Sequence, residues 1–93
     1  MGGDVMTMTG LRAFHGVAAA GSFTKAARAG RVSQPTLSAQ VRALEEAYGV
    51  RLFDRRGRSV QLTPLGQALM VLTTRLFTAE AEAEALLAGS RTL

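Results

Sequence analysis

The stretch SFTKAARAGRVSQPTLSAQVRALEEAYG, residues 22–49, decides the fold. Ser22 can cap a short helix, because its hydroxyl accepts a hydrogen bond from an unpaired backbone N–H of the first turn. Ala26 and Ala27 are small enough to let that helix cross another one closely, and Gly30 suits a tight turn. The stretch therefore predicts two helices joined by a turn, which is the arrangement of a helix-turn-helix.

The second of these helices has two distinct faces. It begins after Ser33, which can cap it, and Pro35 lies in its first turn, where a missing backbone N–H costs nothing. Helical spacing separates an apolar face from a polar one. The apolar face holds Leu37, Val41, Leu44 and Tyr48, and the polar face holds Gln34, Ser38, Arg42 and Glu45. We expect the apolar face to pack in the core and the polar face to be free to contact a partner.

A helix precedes this pair and a basic hairpin follows it. Apolar residues at helical spacing before Gly21 predict the first helix, and His15 on the same side is interpreted as a packing residue without function. The spaced residues are Met8, Leu11, Phe14, Val17 and Ala18. After Gly49, two short apolar runs predict a two-stranded wing with a basic tip. Leu52 and Phe53 form the first run, Val60 and Leu62 the second, and Arg55, Arg56, Gly57 and Arg58 the tip.

The last third of the chain predicts one long helix. Thr63 and Pro64 supply its N-cap and first position. Its apolar residues alternate at intervals of four and three, which is the spacing of a coiled-coil seam. This seam consists of Leu65, Leu69, Leu72, Leu76, Ala79, Ala83 and Leu86. A helix from residue 64 to about 88 is too long for so small a domain to cover, so we expect it to pair two copies; folding back on the domain is the alternative.

The charge of the chain is uneven. Eleven basic and seven acidic side chains give a net charge of +4. Residues 1–63 hold nine basic and four acidic side chains, a net charge of +5, whereas residues 64–93 hold two and three, a net charge of −1. A polyanion such as nucleic acid is the partner that a basic domain favours.

The composition argues against several other classes. The chain has no cysteine and one histidine, so it offers no disulfide, no thiolate zinc site and almost nothing for acid–base catalysis. No apolar run approaches the roughly 18 residues that span a bilayer, and the N-terminus lacks the pattern of a signal peptide. We therefore expect no enzymatic activity, no cofactor or metal, no membrane partner and a cytoplasmic location.

The polar face of the third helix and the basic wing are the candidate DNA contacts. The amide of Gln34 can make two hydrogen bonds to an adenine edge, and the hydroxyls of Thr36 and Ser38 can donate or accept. The Pro35 ring can touch a thymine methyl group. Positive side chains suit phosphates or a narrow minor groove. The residues assigned to phosphates or the minor groove are five arginines and the hydroxyl-bearing Ser33: Arg31, Ser33, Arg42, Arg55, Arg56 and Arg58.

The ordered set of these motifs resembles the N-terminal domain of LysR-type transcriptional regulators, over residues 8 to about 87. The matching positions are 22–27 (SFTKAA), 32–38 (VSQPTLS), 44–45, 49–50, 52–53, 55, 62–63 and 66. The resemblance implies a bacterial regulator whose third helix enters the major groove and whose wing lies near the adjacent minor groove. It also implies an antiparallel homodimer of linker helices on an imperfect palindrome in duplex DNA.

The expected fold is therefore mainly α: a winged helix-turn-helix of three helices and a two-stranded wing, followed by a long linker helix. We assign residues 1–6 to a flexible lead, 7–63 to the DNA-binding domain, 64–88 to the dimerisation helix and 89–93 to a tail. Members of the family usually continue into a domain that binds a small effector and assembles tetramers. We expect neither that domain nor an effector site in this chain.

Two positions depart from the family pattern. Gly30 stands where the family usually has a leucine, which questions the packing of the turn, and Ala39 stands where a basic residue is common. With Ala39, recognition should depend more on Gln34, Thr36, Ser38 and the wing. The competing interpretation is a winged-helix module that dimerises and binds proteins without contacting DNA; the basic side chains argue against it.

Overall fold

Four helices and a two-stranded antiparallel ladder form the fold, in a computed structural model that describes residues 6–55 and 59–90. The helices are α1 (Met8–Ala20), α2 (Phe23–Gly30), α3 (Gln34–Tyr48) and α4 (Pro64–Gly89), and the strands are β1 (Phe53–Asp54) and β2 (Gln61–Leu62). This order confirms the expected three helices, wing and long helix. Within the described ranges, none of the helices combines the length and apolar character that crossing a membrane requires.

Each helix begins at a hydroxyl that caps it. Thr7, Ser22, Ser33 and Thr63 each accept a hydrogen bond from the backbone N–H three residues further on, at 3.0–3.2 Å. These bonds satisfy one of the N–H groups that a first turn leaves unpaired, and each contributes about 1 kcal/mol to the stability of its helix. The boundaries of the helices thus follow from local sequence.

The core lies where α1, α2 and α3 meet the first strand of the wing. Phe14, Val17, Val41 and Phe53 are all fully buried. The Phe53 ring lies 5.3 Å from that of Phe14 and 5.8 Å from that of Phe23, measured between centroids. Because burial of one such side chain stabilises the fold by roughly 1.5–3 kcal/mol, Phe53 anchors the wing to the helical domain.

Several positions differ from the sequence-based expectation. Glu45, assigned to the polar face of the third helix, is buried, because its carboxylate accepts hydrogen bonds from backbone N–H groups of the wing. Tyr48 and Met8, assigned to apolar faces, are about half exposed because they lie at the ends of their helices. The strands pair Phe53 with Leu62, so Val60 packs beside the ladder and not within it.

Gly66 allows the long helix to start close to the wing. A Cβ built at this position would lie 2.2 Å from the carbonyl oxygen of Leu52. The hydroxyl of Thr63 also donates to the carbonyl oxygen of Arg51 at 2.8 Å, and the backbone N–H of Thr63 donates to the carbonyl oxygen of Leu52 at 3.0 Å. The first turn of α4 is therefore fixed against β1, and glycine is the residue that this close approach accepts.

Candidate nucleic-acid interface

The turn between α2 and α3 is closed by Arg31, which adopts the left-handed conformation with φ of 58°. Its backbone N–H donates to the carbonyl of Arg28, and that of Val32 donates to the carbonyl of Ala27, which is the hydrogen-bond pattern of a Schellman motif. The expectation that Gly30 forms the tight turn is wrong, because Gly30 is the last residue of α2 and its φ is not positive. A Cβ added at position 30 would have only a Val32 methyl carbon within 4 Å, and both hydrogen bonds that close the turn form with glycine at this position.

The four candidate base-reading residues lie together at the start of α3. Gln34, Pro35 and Thr36 are exposed and Ser38 is partly exposed, whereas Leu37 between them is buried in the core. The polar side of the first turns of α3 thus faces away from the domain. This arrangement is the one that base readout in a major groove requires.

Hydrogen bonds inside the cap restrict what the hydroxyls at this helix start can do. The Ser33 hydroxyl accepts from the backbone N–H of Thr36 at 3.2 Å and donates to the Thr36 hydroxyl at 2.8 Å. Ser33 is therefore already engaged within the chain. The Thr36 hydroxyl oxygen accepts a hydrogen bond from Ser33, so the Thr36 O–H can still donate outward to an acceptor such as N7 of a purine or O4 of thymine.

The basic residues assigned to phosphates occupy different environments. Arg31 and Arg42 are exposed, one at the turn and the other on α3. The Arg55 side chain is 31% exposed and contacts the rest of the domain. Arg56 and Arg58 lie outside the described residues.

Arg55 joins the wing to both helices of the helix-turn-helix. Its guanidinium lies 4.9 Å above the ring of Phe23 and contacts the Glu45 carboxylate at 3.4 Å. The same carboxylate accepts hydrogen bonds from the backbone N–H groups of Leu52 at 2.8 Å and Phe53 at 3.3 Å. Arg55 Nε is buried, and no hydrogen-bond partner for it exists within the described part of the chain. This network orients the base of the wing.

A third arginine lies beside Arg42 and Arg55 and is not among the DNA contacts predicted from the sequence. Arg51 is exposed and lines an open cavity of about 450 Å³ with the other two. Its position between the end of α3 and β1 makes it a candidate phosphate contact. The sequence carries a signal for this residue, because Arg51 is a basic residue between the cap at Gly49 and the first wing strand, next to the basic tip.

The coiled-coil seam lies mostly on the uncovered side of α4. Leu72 is 57% exposed, Leu76 38% and Leu86 75%, whereas Leu69 packs partly against the core. With 3.6 residues per turn, the seam is turned by roughly 110° from the stripe that faces the domain. That stripe consists of Gly66, Met70, Thr73, Phe77 and Glu80. The domain thus leaves most of the seam free for a partner; Leu65, Ala79 and Ala83 are exposed as well.

Polar contacts between α1 and α4 set the direction of the long helix. The Arg12 guanidinium makes two hydrogen bonds to the Glu80 carboxylate, at 3.0 and 2.7 Å, and lies 4.6 Å above the Phe77 ring. The hydrogen bonds from Arg12 hold the pKa of Glu80 below its ordinary value. One turn away, His15 Nδ1 is 2.9 Å from the buried Thr73 hydroxyl, and the His15 and Phe77 rings pack edge to face with centroids 5.2 Å apart. Partial burial lowers the pKa of His15. We call this set the α1–α4 contact.

The sequence matches one protein family over most of its length. The family described as bacterial regulatory helix-turn-helix protein, lysR family, matches residues 8–67. An uncharacterized HTH-type transcriptional regulator in the ibpB-leuC intergenic region of Azotobacter vinelandii is 44% identical over 71 residues, which are 76% of this chain and 49% of that protein. The HTH-type transcriptional regulator BlaA of Streptomyces cacaoi is 46% identical over 65 residues, 70% of this chain and 20% of BlaA.

Solved structures agree with the sequence matches. The fold resembles the DNA-binding domain of BenM in its complex with catB site 1 DNA, with a TM-score of 0.85, 32% identity, and coverage of 95% of this chain and 99% of that one. It also resembles Vibrio fischeri DarR in complex with DNA, with a TM-score of 0.78, 26% identity, and coverage of 96% of this chain and 30% of DarR. The chain spans about half the length of one curated relative and a fifth of the other.

Proposed function

The chain belongs to the lysR family of bacterial regulatory helix-turn-helix proteins, and we propose that it binds specific sequences in double-stranded DNA as a homodimer. In this proposal α3 enters the major groove, and the wing lies against phosphates or the adjacent minor groove. The observation that carries it is the group of exposed polar residues at the start of α3, presented by a helix whose other face is buried in the core. The likeness to DNA complexes of relatives supports the same assignment.

Base recognition is assigned to the first turns of α3. Gln34 offers a donor and an acceptor for the two groups on an adenine edge, and Thr36 offers a free proton to a purine or a thymine. Pro35 is exposed beside them and can contact a thymine methyl group. Ser38, one turn further on and partly buried, contributes at the edge of this surface.

Phosphate binding is assigned to the arginines around α3 and the wing. Arg31 lies at the turn before α3, and Arg42 and Arg55 lie around the cavity near its end, so they flank the base-reading residues along the helix. Arg56, Arg58 and the uncharged Ser33 complete the assigned set. The arginine charges position the protein on the duplex and make binding depend on salt, but they carry no sequence information by themselves.

Dimerisation is assigned to the seam of α4, since most of it is exposed. An isolated helix of 26 residues with such a stripe leaves apolar surface in water, and a second copy covers it. Two copies related by a two-fold axis read two inverted half-sites, so the expected target is an imperfect palindrome. Higher assembly, a cytoplasmic location and a role in regulating transcription are proposed from the family alone.

Selection of bound fragments from a random duplex pool tests this function. The native chain should enrich an inverted repeat, and Gln34→Ala should blur it at a defined position in each half-site. Gln67→Ala is the matched control, since Gln67 is an exposed glutamine on α4 away from the seam. A variant with Arg42→Ala and Arg51→Ala, which removes two exposed charges, should retain the motif and bind every duplex more weakly. Failure of the native chain to enrich any motif at low salt would favour the protein-interaction module instead.

A further inference from the structure

Two separate attachments join α4 to the rest of the chain. The first is the start of the helix, where Thr63 and Gly66 are fixed against β1. The second is the α1–α4 contact, which reaches as far as the Glu80 carboxylate. At 1.5 Å per residue, Gly66 and Glu80 lie about 21 Å apart along the helix axis. Two fixed points at this separation define the direction of a rigid helix, whereas the first point alone would act as a pivot.

Arg12 fixes orientation at the second attachment as well as position. Its guanidinium donates to both carboxylate oxygens of Glu80, at 3.0 and 2.7 Å, and its face lies 4.6 Å above the Phe77 ring. Because the guanidinium is planar, paired hydrogen bonds at its edge and a ring against its face leave it little freedom to turn. Beyond this point every residue from 81 to 90 is exposed.

The ion pair is suited to positioning more than to stabilising the fold. The side chains of Arg12 and Glu80 are 54% and 44% exposed. Ion pairs in such contact with water contribute little to the free energy of unfolding, because water screens their attraction. The geometry nevertheless ties α1 to a point 68 residues further along the chain. Removal of the pair should therefore leave the domain folded and release the angle between the domain and α4.

We propose that Arg12 and Glu80 select the spacing between the two DNA half-sites, because they hold each DNA-binding domain at one angle to its own α4. The inference rests on the proposed homodimer and its palindromic target, and it adds a determinant of specificity outside α3, the wing and the seam. In a dimer joined through α4, the angle at which each domain leaves the helix sets the distance between the two α3 helices. That distance must match the separation of the half-sites.

Small changes of angle are large on the scale of DNA. One further base pair between half-sites moves them apart by about 3.4 Å and turns one relative to the other by about 35°. A domain that pivots by about 10° around Gly66 moves points about 20 Å away by about 3.5 Å, the rise of one base pair. A dimer with a fixed angle should thus discriminate between neighbouring spacer lengths, and a dimer with a free pivot should accept several.

Selection of spacer length tests the proposal. The pool holds the two enriched half-sites at every separation over about one helical turn, about 10 base pairs. The native chain should favour one separation over its neighbours by about 10-fold or more, and Arg12→Ala and Glu80→Ala should each reduce this preference to about 3-fold or less. The sequence of each half-site should stay unchanged. Glu82→Ala is the matched control, since Glu82 is also an exposed glutamate of α4, and it should keep the native preference.

The choice of variants separates position from charge. Arg12→Ala removes a positive charge and Glu80→Ala removes a negative one, so a general electrostatic effect would change the affinity for DNA in opposite directions. Loss of the contact instead broadens the spacer preference in both variants. Arg12→Lys keeps the charge and loses the paired hydrogen bonds, so it should broaden the preference as well. Circular dichroism verifies that each variant is folded.

A distance measurement without DNA gives an independent readout. The chain has no cysteine, so Ala29→Cys on α2 and Ala88→Cys near the end of α4 can carry two spin labels at exposed positions. An excess of unlabelled chain restricts the signal to distances within one copy. Pulsed electron spin resonance should give a narrow distribution in the otherwise native chain and with Glu82→Ala. With Arg12→Ala or Glu80→Ala the distribution should broaden or shift.

The two readouts distinguish failure of the proposal from failure of the proposed function. Enriched half-sites whose spacer preference is the same in the native chain, Arg12→Ala and Glu80→Ala would overturn the proposal and leave DNA binding intact. Unchanged distance distributions in both variants would overturn it as well. A native chain that enriches no half-site at all would refute the proposed function and, with it, any selection of spacing.

Discussion

Glu45 connects the end of α3 to the wing through hydrogen bonds to two backbone N–H groups and a contact with Arg55. Glu45→Ala leaves the buried N–H groups of Leu52 and Phe53 without an acceptor. We expect the free energy of unfolding to fall by about 2–4 kcal/mol, measured by urea denaturation. Glu46→Ala changes the exposed neighbouring glutamate and should stay within about 0.5 kcal/mol of the native chain. Equal effects of the two changes would contradict the assigned role.

Gly66 and Gly16 provide a matched pair of helical glycines. At Gly66 an added Cβ meets the Leu52 carbonyl oxygen, whereas at Gly16 it meets nothing within 4 Å. Gly66→Ala should therefore destabilise the chain by about 1–3 kcal/mol, because the start of α4 must move away from β1. Gly16→Ala should stabilise it by about 0.5–1 kcal/mol through helix propensity. Thermal unfolding measures both effects. A melting temperature that shifts in the same direction in the two variants would refute the close approach at Gly66.

Arg31 combines a strained backbone with a proposed phosphate contact. A left-handed conformation costs an L-residue roughly 1 kcal/mol, and glycine adopts it freely. Arg31→Gly should thus raise the free energy of unfolding by about 0.5–1 kcal/mol and yet weaken DNA binding. Arg31→Lys keeps both the strain and the charge, so its stability should match that of the native chain. Urea denaturation and fluorescence anisotropy with a labelled duplex measure the two effects, and unchanged DNA affinity in Arg31→Gly would remove Arg31 from the interface.

We expect the contact between α1 and α4 to make the stability of the chain depend on pH. The lowered pKa of His15 means that the unfolded chain binds a proton more readily than the folded one. Its contribution to stability is therefore present above about pH 6.5 and declines as the pH falls through the lowered pKa of the folded state. Glu80, whose pKa is also lowered, loses its contribution only at more acidic pH.

His15→Gln tests this dependence, since the chain has a single histidine. Between about pH 7 and pH 5 the melting temperature of the native chain should fall more than that of the variant. Arg12 and Glu80 remain unchanged in the variant, so their ion pair serves as an internal control. An identical fall in both proteins would show that protonation of His15 does not disturb the α1–α4 contact.

The sequence predicted the elements that depend on local signals. Ser22, Ser33 and Thr63 cap helices because a hydroxyl before an amphipathic run acts within three residues, and these signals need no tertiary information. Contacts between distant positions could not be predicted in this way. Arg12 and Glu80 are 68 residues apart, and no local pattern relates them. Helical spacing likewise assigned Glu45 to the polar face, since it cannot show which polar residue a neighbouring strand will bury.

At the scale of the candidate site, the exposed start of α3 was predicted, and the engagement of individual side chains was not. The grouping of Gln34, Pro35 and Thr36 follows from the cap and the helical repeat. The packing of Arg55 on Phe23 depends on how the wing meets α2, which only the folded chain determines. The hydrogen bond from the Ser33 hydroxyl to that of Thr36 is local, but it depends on side-chain rotamers that the sequence pattern does not specify.

At the scale of the whole molecule, the chain combines a basic domain with an uncovered helical seam. The proposed base-reading residues, the arginines assigned to phosphates and the seam lie on different parts of the chain, so we expect DNA sequence preference, salt dependence and dimerisation to be separable by substitution. If the chain contacts on the order of six to ten phosphates, its affinity for DNA should fall about 10³ to 10⁵-fold when the salt concentration rises from about 50 to 200 mM. A protein partner bound through apolar surface would show a far weaker dependence.

Specific binding of DNA through the start of α3 is the central claim, and one equilibrium measurement tests it most directly. The affinity of the native chain for the enriched duplex is compared with its affinity for a shuffled duplex at about 0.15 M salt, and the same ratio is measured for Gln34→Ala. We predict a preference of at least about 10³-fold in the native chain, reduced roughly 10-fold or more in the variant. Equal affinity of the native chain for the two duplexes would contradict the account.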